Sequence, residues 1–104
     1  MCVYSFEEIA ERVRPVAEKY GLKSVYLFGS YARGDADDES DVDLLIDDGG
    51  VHGAFWLGGL YGDFCEALEK EVDMVTMDSL ERRRETKYGK RFVEEVELDR
   101  RRIV

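Results

Sequence analysis

The sequence predicts an α/β fold of the α+β kind: a small mixed β-sheet of three to four strands flanked by helices. Three observations predict it. Short runs rich in β-branched and aromatic residues recur at 23–28, 42–47 and 71–76. The stretches before and between them carry apolar residues at the three-to-four-residue spacing of an amphipathic helix. The length of 104 residues, 44% of them hydrophobic, suffices for one core. It leaves no room for an added substrate-binding domain, so residues 1–104 are expected to form one domain and the acceptor of any chemistry is expected to come from outside.

Ser5 followed by Glu8 reads as a capping box, and Phe6, Ile9, Ala10 and Val13 then continue a helical stripe. Pro15 interrupts it. Proline suits the first turn of a helix, so the expectation is a helix to about Arg14 and a second from Pro15 to Tyr20, ended by Gly21, with break or kink left open. Residues 23–28 form the first strand and 42–47 the second. On the second, Val42, Leu44 and Ile46 share one face, and Asp41, Asp43 and Leu45 the other. Asp48, Gly49 and Gly50 end it.

A helix is expected over 55–70, with Leu57, Leu60, Tyr61, Phe64, Ala67 and Leu68 as its buried stripe. Gly58, Gly59 and Gly62 each cost roughly 1 kcal/mol against alanine, which implies close packing there or a frayed start. The third strand, 71–76, sets Val72, Met74 and Thr76 on one face and Asp73 beside Val75 on the other. Asp78-Ser-Leu-Glu resembles a helix cap, and the charge run 81–91 is expected to be partly disordered. Phe92, Val93 and Val96 mark a short helix, and Ile103 and Val104 a terminal strand or partner contact. The core is therefore expected at about 15–76, with 77–104 a charged C-terminal segment.

Charge excludes one class of partner. Twenty-four acidic against fifteen basic residues give a net charge of -9, which repels a phosphate backbone, so broad nucleic-acid binding is not expected. No apolar run is long enough for a membrane span and no signal-peptide pattern opens the chain, so a cytoplasmic protein is expected. Cys2 and Cys65 stand apart with no histidine cluster to make a zinc site; Cys65 lies on the helical stripe and reads as a core thiol. His52, the single histidine, lies in a glycine-rich loop, where a solvated side chain is the plainer reading than a general base.

The chemistry concentrates in residues 26–43. An apolar strand breaks into Gly29 and Ser30, and ten residues later come Asp41 and Asp43. A strand ending in Gly-Ser leaves backbone N–H groups and a hydroxyl for phosphate oxygens, because glycine has no Cβ to hold a ligand off. Aspartates at i and i+2 on a strand point to one face, roughly 7 Å apart, so both can reach one magnesium ion. At an effective dielectric of ~20 and ~5 Å the two carboxylates repel by roughly 3 kcal/mol, which a divalent cation reverses. Arg33 can reach a phosphate or the acceptor, or can cap the turn with Gly34. Asp35, Asp37, Asp38 and Glu39 read as a solvated loop, and Ser40 as a residue that orients Asp41.

Gly29-Ser30, ten residues, Asp41-Val42-Asp43 resembles the signature of the DNA polymerase beta-like nucleotidyltransferase superfamily. The flanking Leu-Phe-Gly-Ser-Tyr-Ala-Arg-Gly and Ser-Asp-Val-Asp-Leu-Leu-Ile look like its minimal nucleotidyltransferase group. The resemblance runs from about Pro15 to Thr76 and is least clear in the last 28 residues. It implies the polymerase beta-like fold, with Gly29 and Ser30 holding the triphosphate of ATP and Arg33 beside them. Asp41 and Asp43 would bind two magnesium ions, and Asp73 would be the third carboxylate, a metal ligand or the base for the acceptor hydroxyl.

Minimal members of this group resemble antitoxins encoded beside a helical HEPN-domain toxin, to whose tyrosine they transfer AMP. The function so implied is magnesium-dependent adenylylation of a partner protein. Two alternatives stand beside it. One is a binding module that neutralises its partner by contact through Phe55, Trp56 and Leu57 or through Ile103 and Val104; the other is nucleotidyl transfer to a small molecule.

Overall fold

The computed structural model describes residues 3–49 and 52–104, so the expectations for Cys2 and Gly50 fall outside the described residues. Ser5 opens the first helix, α1 (Phe6–Tyr20), as its spacing predicts. The Ser5 hydroxyl accepts from the Glu8 N–H at 3.1 Å, and the Glu8 carboxylate accepts from the Ser5 N–H at 3.0 Å, which satisfies two donors that a helix start leaves orphaned. Pro15 does not divide it. A proline inside a helix costs on the order of 3 kcal/mol. Ile9, Ala10 and Val13 before it and Val16 and Ala17 after it are all buried on one stripe, at about 1.5–3 kcal/mol for each large apolar side chain, so packing outweighs the break. Gly21 then ends the helix in the left-handed region, at φ 64°.

The remaining elements are β1 (Ser24–Phe28), α2 (Gly29–Arg33), β2 (Val42–Asp47), α3 (Ala54–Leu68), β3 (Val72–Thr76), α4 (Met77–Arg83), α5 (Lys87–Asp99) and β4 (Arg101–Arg102). The first and third strands begin one residue later than expected, and α3 runs from Ala54 to Leu68 rather than 55–70. The sheet is mixed, in the order β3-β2-β1-β4. β1 lies antiparallel to β2 and to β4, while β2 and β3 are parallel neighbours joined across α3. The fourth strand is Arg101–Arg102 rather than Ile103 and Val104. Ile103 is buried behind it, its N–H donating to the Val25 carbonyl at 2.8 Å.

Both faces of this sheet are covered. Val25, Leu27, Val42, Leu44, Ile46 and Val72 pack against Ile9, Val13, Leu60, Phe64 and Leu68 of α1 and α3. On the other face Phe28, Leu45 and Val75 pack against Leu80 of α4 and Val93 and Val96 of α5. The C-terminal charge run is thus ordered, against expectation. Thr76, not Asp78, caps α4, its hydroxyl accepting from the Ser79 N–H at 3.1 Å, and Thr86 caps α5 through the Gly89 N–H at 2.9 Å. Arg84 bridges Glu81 and Glu97, and Arg83 lies over the Phe92 ring at 4.6 Å. Leu80, Val93 and Val96 are too widely spaced to read as a helical stripe in one short window, yet each is at most 2% exposed.

The glycines of α3 divide. Close packing holds at Gly59, where an added Cβ would meet the Tyr20 hydroxyl at 3.2 Å; at Gly58 and Gly62 there is open space. Leu57, Ala67 and Cys65 are partly rather than fully buried, and Tyr61 is exposed. Among the described residues no helix is long and apolar enough to cross a membrane.

Candidate active site

Strand β1 ends at Phe28, and Gly29 turns the chain into α2 with φ 73°, a conformation that side chains rarely adopt. A second constraint acts at the same residue: a Cβ on Gly29 would collide with the Asp43 carboxylate. The glycine therefore lets a carboxylate of β2 lie against the backbone at the start of α2. No side chain caps that start. The start of α2 and the Asp43 carboxylate therefore meet at one corner of the sheet, with Ser30 next in the chain after Gly29.

The parallel register of β2 and β3 sets Asp43 directly opposite Asp73. Neighbouring strands lie about 4.8 Å apart, so two carboxylates in register on one face stand side by side. Asp43 is half-buried and Asp73 exposed; Asp41, just ahead of β2, is also exposed. Burial first, then the charges of Asp73 and Asp41, raise the Asp43 pKa from 3.8 to about 6, against a smaller opposing effect of Arg33. The ionised site is short of positive charge. Its donors are all carboxylate oxygens, which suit a hard divalent cation such as magnesium, and the crowding that disfavours ionised Asp43 is relieved by one. Among the described residues no three acidic, histidine or cysteine side chains are drawn together at ligand spacing. Asp43 and Asp73 form the centre, with Asp41 at its edge.

A cavity of about 170 Å³ opens here, lined by Phe28, Gly29 and Arg33 at the β1–α2 turn, by Asp43 and Asp73 of the sheet, and by Phe92, Glu95, Val96 and Asp99 of α5. Arg33 is held by two carboxylates: its Nη1 donates to Asp99 at 2.8 Å and its Nε to Asp35 at 3.3 Å. It lines the cavity rather than capping the turn, which Gly34 closes at φ 85°. Phe92, Glu95 and Asp99 were not expected here. They come from α5, 49 to 56 residues beyond Asp43 in the chain, and no local pattern ties them to the Gly-Ser turn.

Other expectations resolve elsewhere. Ser40 does not orient Asp41; its hydroxyl accepts from the Asp37 N–H at 2.9 Å and lies 3.2 Å from the Asp37 carboxylate, closing the turn of the acidic loop. Asp35, Asp37, Asp38 and Glu39 are exposed, as a solvated loop should be. Lys70 pins that loop through the Asp38 carbonyl at 2.9 Å. His52 stacks on Trp56 at 3.7 Å between centroids, and its ring nitrogen meets the Asp48 carbonyl at 3.0 Å. A larger groove of about 320 Å³ between α1 and α3, lined by Pro15, Lys19 and Asp63, shares no residue with the carboxylate site.

The family described as Nucleotidyltransferase domain matches residues 9–104. The match therefore continues beyond Thr76, through α4 and α5. Two proteins of Methanocaldococcus jannaschii, each named "Putative protein adenylyltransferase", are similar to the chain. One is 36% identical over 76 residues, covering 73% of this chain and 82% of the relative; the other is 35% identical over 100 residues, covering 88% and 93%. "Protein adenylyltransferase MntA" of Thermococcus cleftensis is 37% identical over 51 residues, 45% of this chain and 52% of that protein. Among solved structures, a toxin-antitoxin complex with AMP-PNP superposes with a TM-score of 0.69 at 20% identity over 91% of this chain and 72% of that one. The complex of a tri-AMPylated Shewanella oneidensis HEPN toxin with its MNT antitoxin gives 0.64 at 17% identity, over 94% and 71%. At such identities the likeness is one of fold.

Proposed function

The chain belongs to the nucleotidyltransferase domain family and is a nucleotidyltransferase, and from that premise we propose that it transfers AMP from ATP to a tyrosine of a HEPN-type toxin partner, acting in the cytoplasm as an antitoxin. The observation that carries this reading is the pair Asp43 and Asp73, in register on parallel strands, with Asp43 packed against Gly29. The similarity to proteins named as adenylyltransferases and to MNT antitoxins in complex with toxins supports the acceptor class.

In this reading the uncapped N–H groups of α2 at Gly29 and Ser30 hold phosphate oxygens, and Arg33 adds a cation at the cavity wall. Asp43 and Asp41, together with Asp73, would hold two magnesium ions. When bound, the metal neutralises the charge that develops on the attacking and leaving oxygens. Asp73, the exposed carboxylate at the cavity, takes the proton from the acceptor hydroxyl. The new bond joins that oxygen to the α-phosphorus, the bond from the α-phosphorus to the bridging oxygen breaks, and pyrophosphate leaves. Little covalent help is needed from the protein, since positioning and charge supply most of the effect.

Incubation with a candidate helical partner, labelled ATP and magnesium should label a partner tyrosine. No label on an intact partner would overturn the reading. One observation favours the alternative of neutralisation by contact: Phe55 is fully exposed at the start of α3, whereas Ile103, the other expected contact, is buried. The double substitution Asp41→Ala with Asp43→Ala separates the two readings, because contact inhibition survives it and adenylylation does not.

A further inference from the structure

Arg33 and Asp99 are 66 residues apart, and their side chains meet at 2.8 Å in the wall of the cavity that also holds Asp43 and Asp73. We propose that Asp99 is a positioning residue: it fixes the Arg33 guanidinium at that wall, so that the donors not taken by carboxylates serve a phosphate of the nucleotide. The proposal rests on the nucleotide-transfer reading above and adds to it a residue from α5.

Three features separate this contact from an ordinary surface ion pair. First, the Asp99 side chain is 18% exposed, whereas the other ion-paired carboxylates among the described residues range from 31% to 75%. The shelter lies on the carboxylate side of the pair, since the Arg33 side chain is 47% exposed and its outer donors stay open to a ligand. Second, Asp99 is the last residue of α5, and the last turn of that helix carries no basic residue. A carboxylate at a helix C-terminus opposes the helix dipole, so secondary structure alone does not select it. Third, Arg33 is anchored twice. Nη1 on Asp99 and Nε on Asp35 fix the plane of the fork and leave three of its five N–H donors for a ligand. An arginine already held flat loses less freedom when it binds a phosphate.

The rival account is a staple that only ties α5 to α2. Calorimetric titration of the full chain with magnesium and AMP-PNP distinguishes them, with thermal melting of every variant alongside. Asp99→Asn is expected to weaken AMP-PNP binding about tenfold, Arg33→Ala at least as much, and the double variant no more than Arg33→Ala. Asp99→Glu should recover part of the loss. The proposal is overturned if Asp99→Asn lowers the melting temperature but binds like the wild type. It is also overturned if the substitution weakens binding equally when Arg33 is absent. Should Asp99→Asn fail to fold, unchanged binding by Asp99→Glu and Arg33→Ala overturns it as well. A wild-type chain that does not bind AMP-PNP overturns the nucleotide reading itself, a result separable from these.

Discussion

The two faces of the sheet are made from alternate residues of the same strands, yet they are unlike. Toward α1 and α3, β2 presents Val42, Leu44 and Ile46, each 0% exposed, beside Val25, Leu27 and Val72. Toward α4 and α5 it presents Leu45 under an apolar cover and then Asp43, in register with Asp73 and pressed against Gly29. One face is apolar from end to end. The other gives up burial at one corner and gathers negative charge there, which a fold tolerates only when the rest of the core is sufficient.

The contrast is broken most sharply by paired substitutions. Phe64→Ala on the apolar face should cost about 3–5 kcal/mol and lose activity only because the chain unfolds, as a melting curve would record. Asp43→Asn on the other face should abolish nucleotide transfer, by about a thousandfold or more, while raising the melting temperature at pH 8. A destabilised Asp43→Asn would contradict the view that this corner is held at a cost to stability.

Gly29→Ala tests the join between turn and carboxylate. It meets both the positive φ and the Asp43 side chain, so transfer should fall about a hundredfold and stability by about 1–3 kcal/mol, measured by denaturant unfolding. The pH dependence comes next in size. The pKa of Asp43 is about 6 in the folded protein and 3.8 as its ordinary value, so between these values the folded state holds more protons than the unfolded one. Stability from this group is greatest below about pH 4 and declines as pH rises through 6, by about 1–2 kcal/mol once screening at a half-exposed carboxyl is allowed for. Melting curves from pH 4.5 to 7.5 should show this component in the wild type and lack it in Asp43→Asn. Magnesium should stabilise more at pH 8 than at pH 5.

The smallest expected effects lie on the apolar side. Gly58→Ala has open space and should stabilise by about 0.5–1 kcal/mol, whereas Gly59→Ala must displace the Tyr20 hydroxyl, itself bonded to Asp63 at 2.9 Å, and should gain nothing. Equal melting temperatures for the two would remove the distinction drawn between them.

Much of the site was legible locally. β2 occupies the residues its alternation predicts, and the Gly-Ser turn lies where the apolar strand stops, because period-two burial and positive φ are properties of adjacent residues. The helix across Pro15 was not legible, since the stripe that overrides the proline is stabilised by α3. The order in 81–91 was hidden for a similar reason: its anchors Leu80, Val93 and Val96 gain only from the sheet face above them.

By itself the sequence determined the strand segments, the capped start of α1, the glycine turn and the spacing of Asp41 and Asp43. Each of these is a short-range preference of backbone or pattern, encoded where it acts. Only the tertiary structure decided that Asp73 stands beside Asp43, that α5 brings Asp99 to Arg33, and that β4 closes the sheet at Arg101–Arg102. Those depend on strand register and on which faces are buried together, and such free energies belong to pairs of segments far apart in the chain rather than to either segment alone.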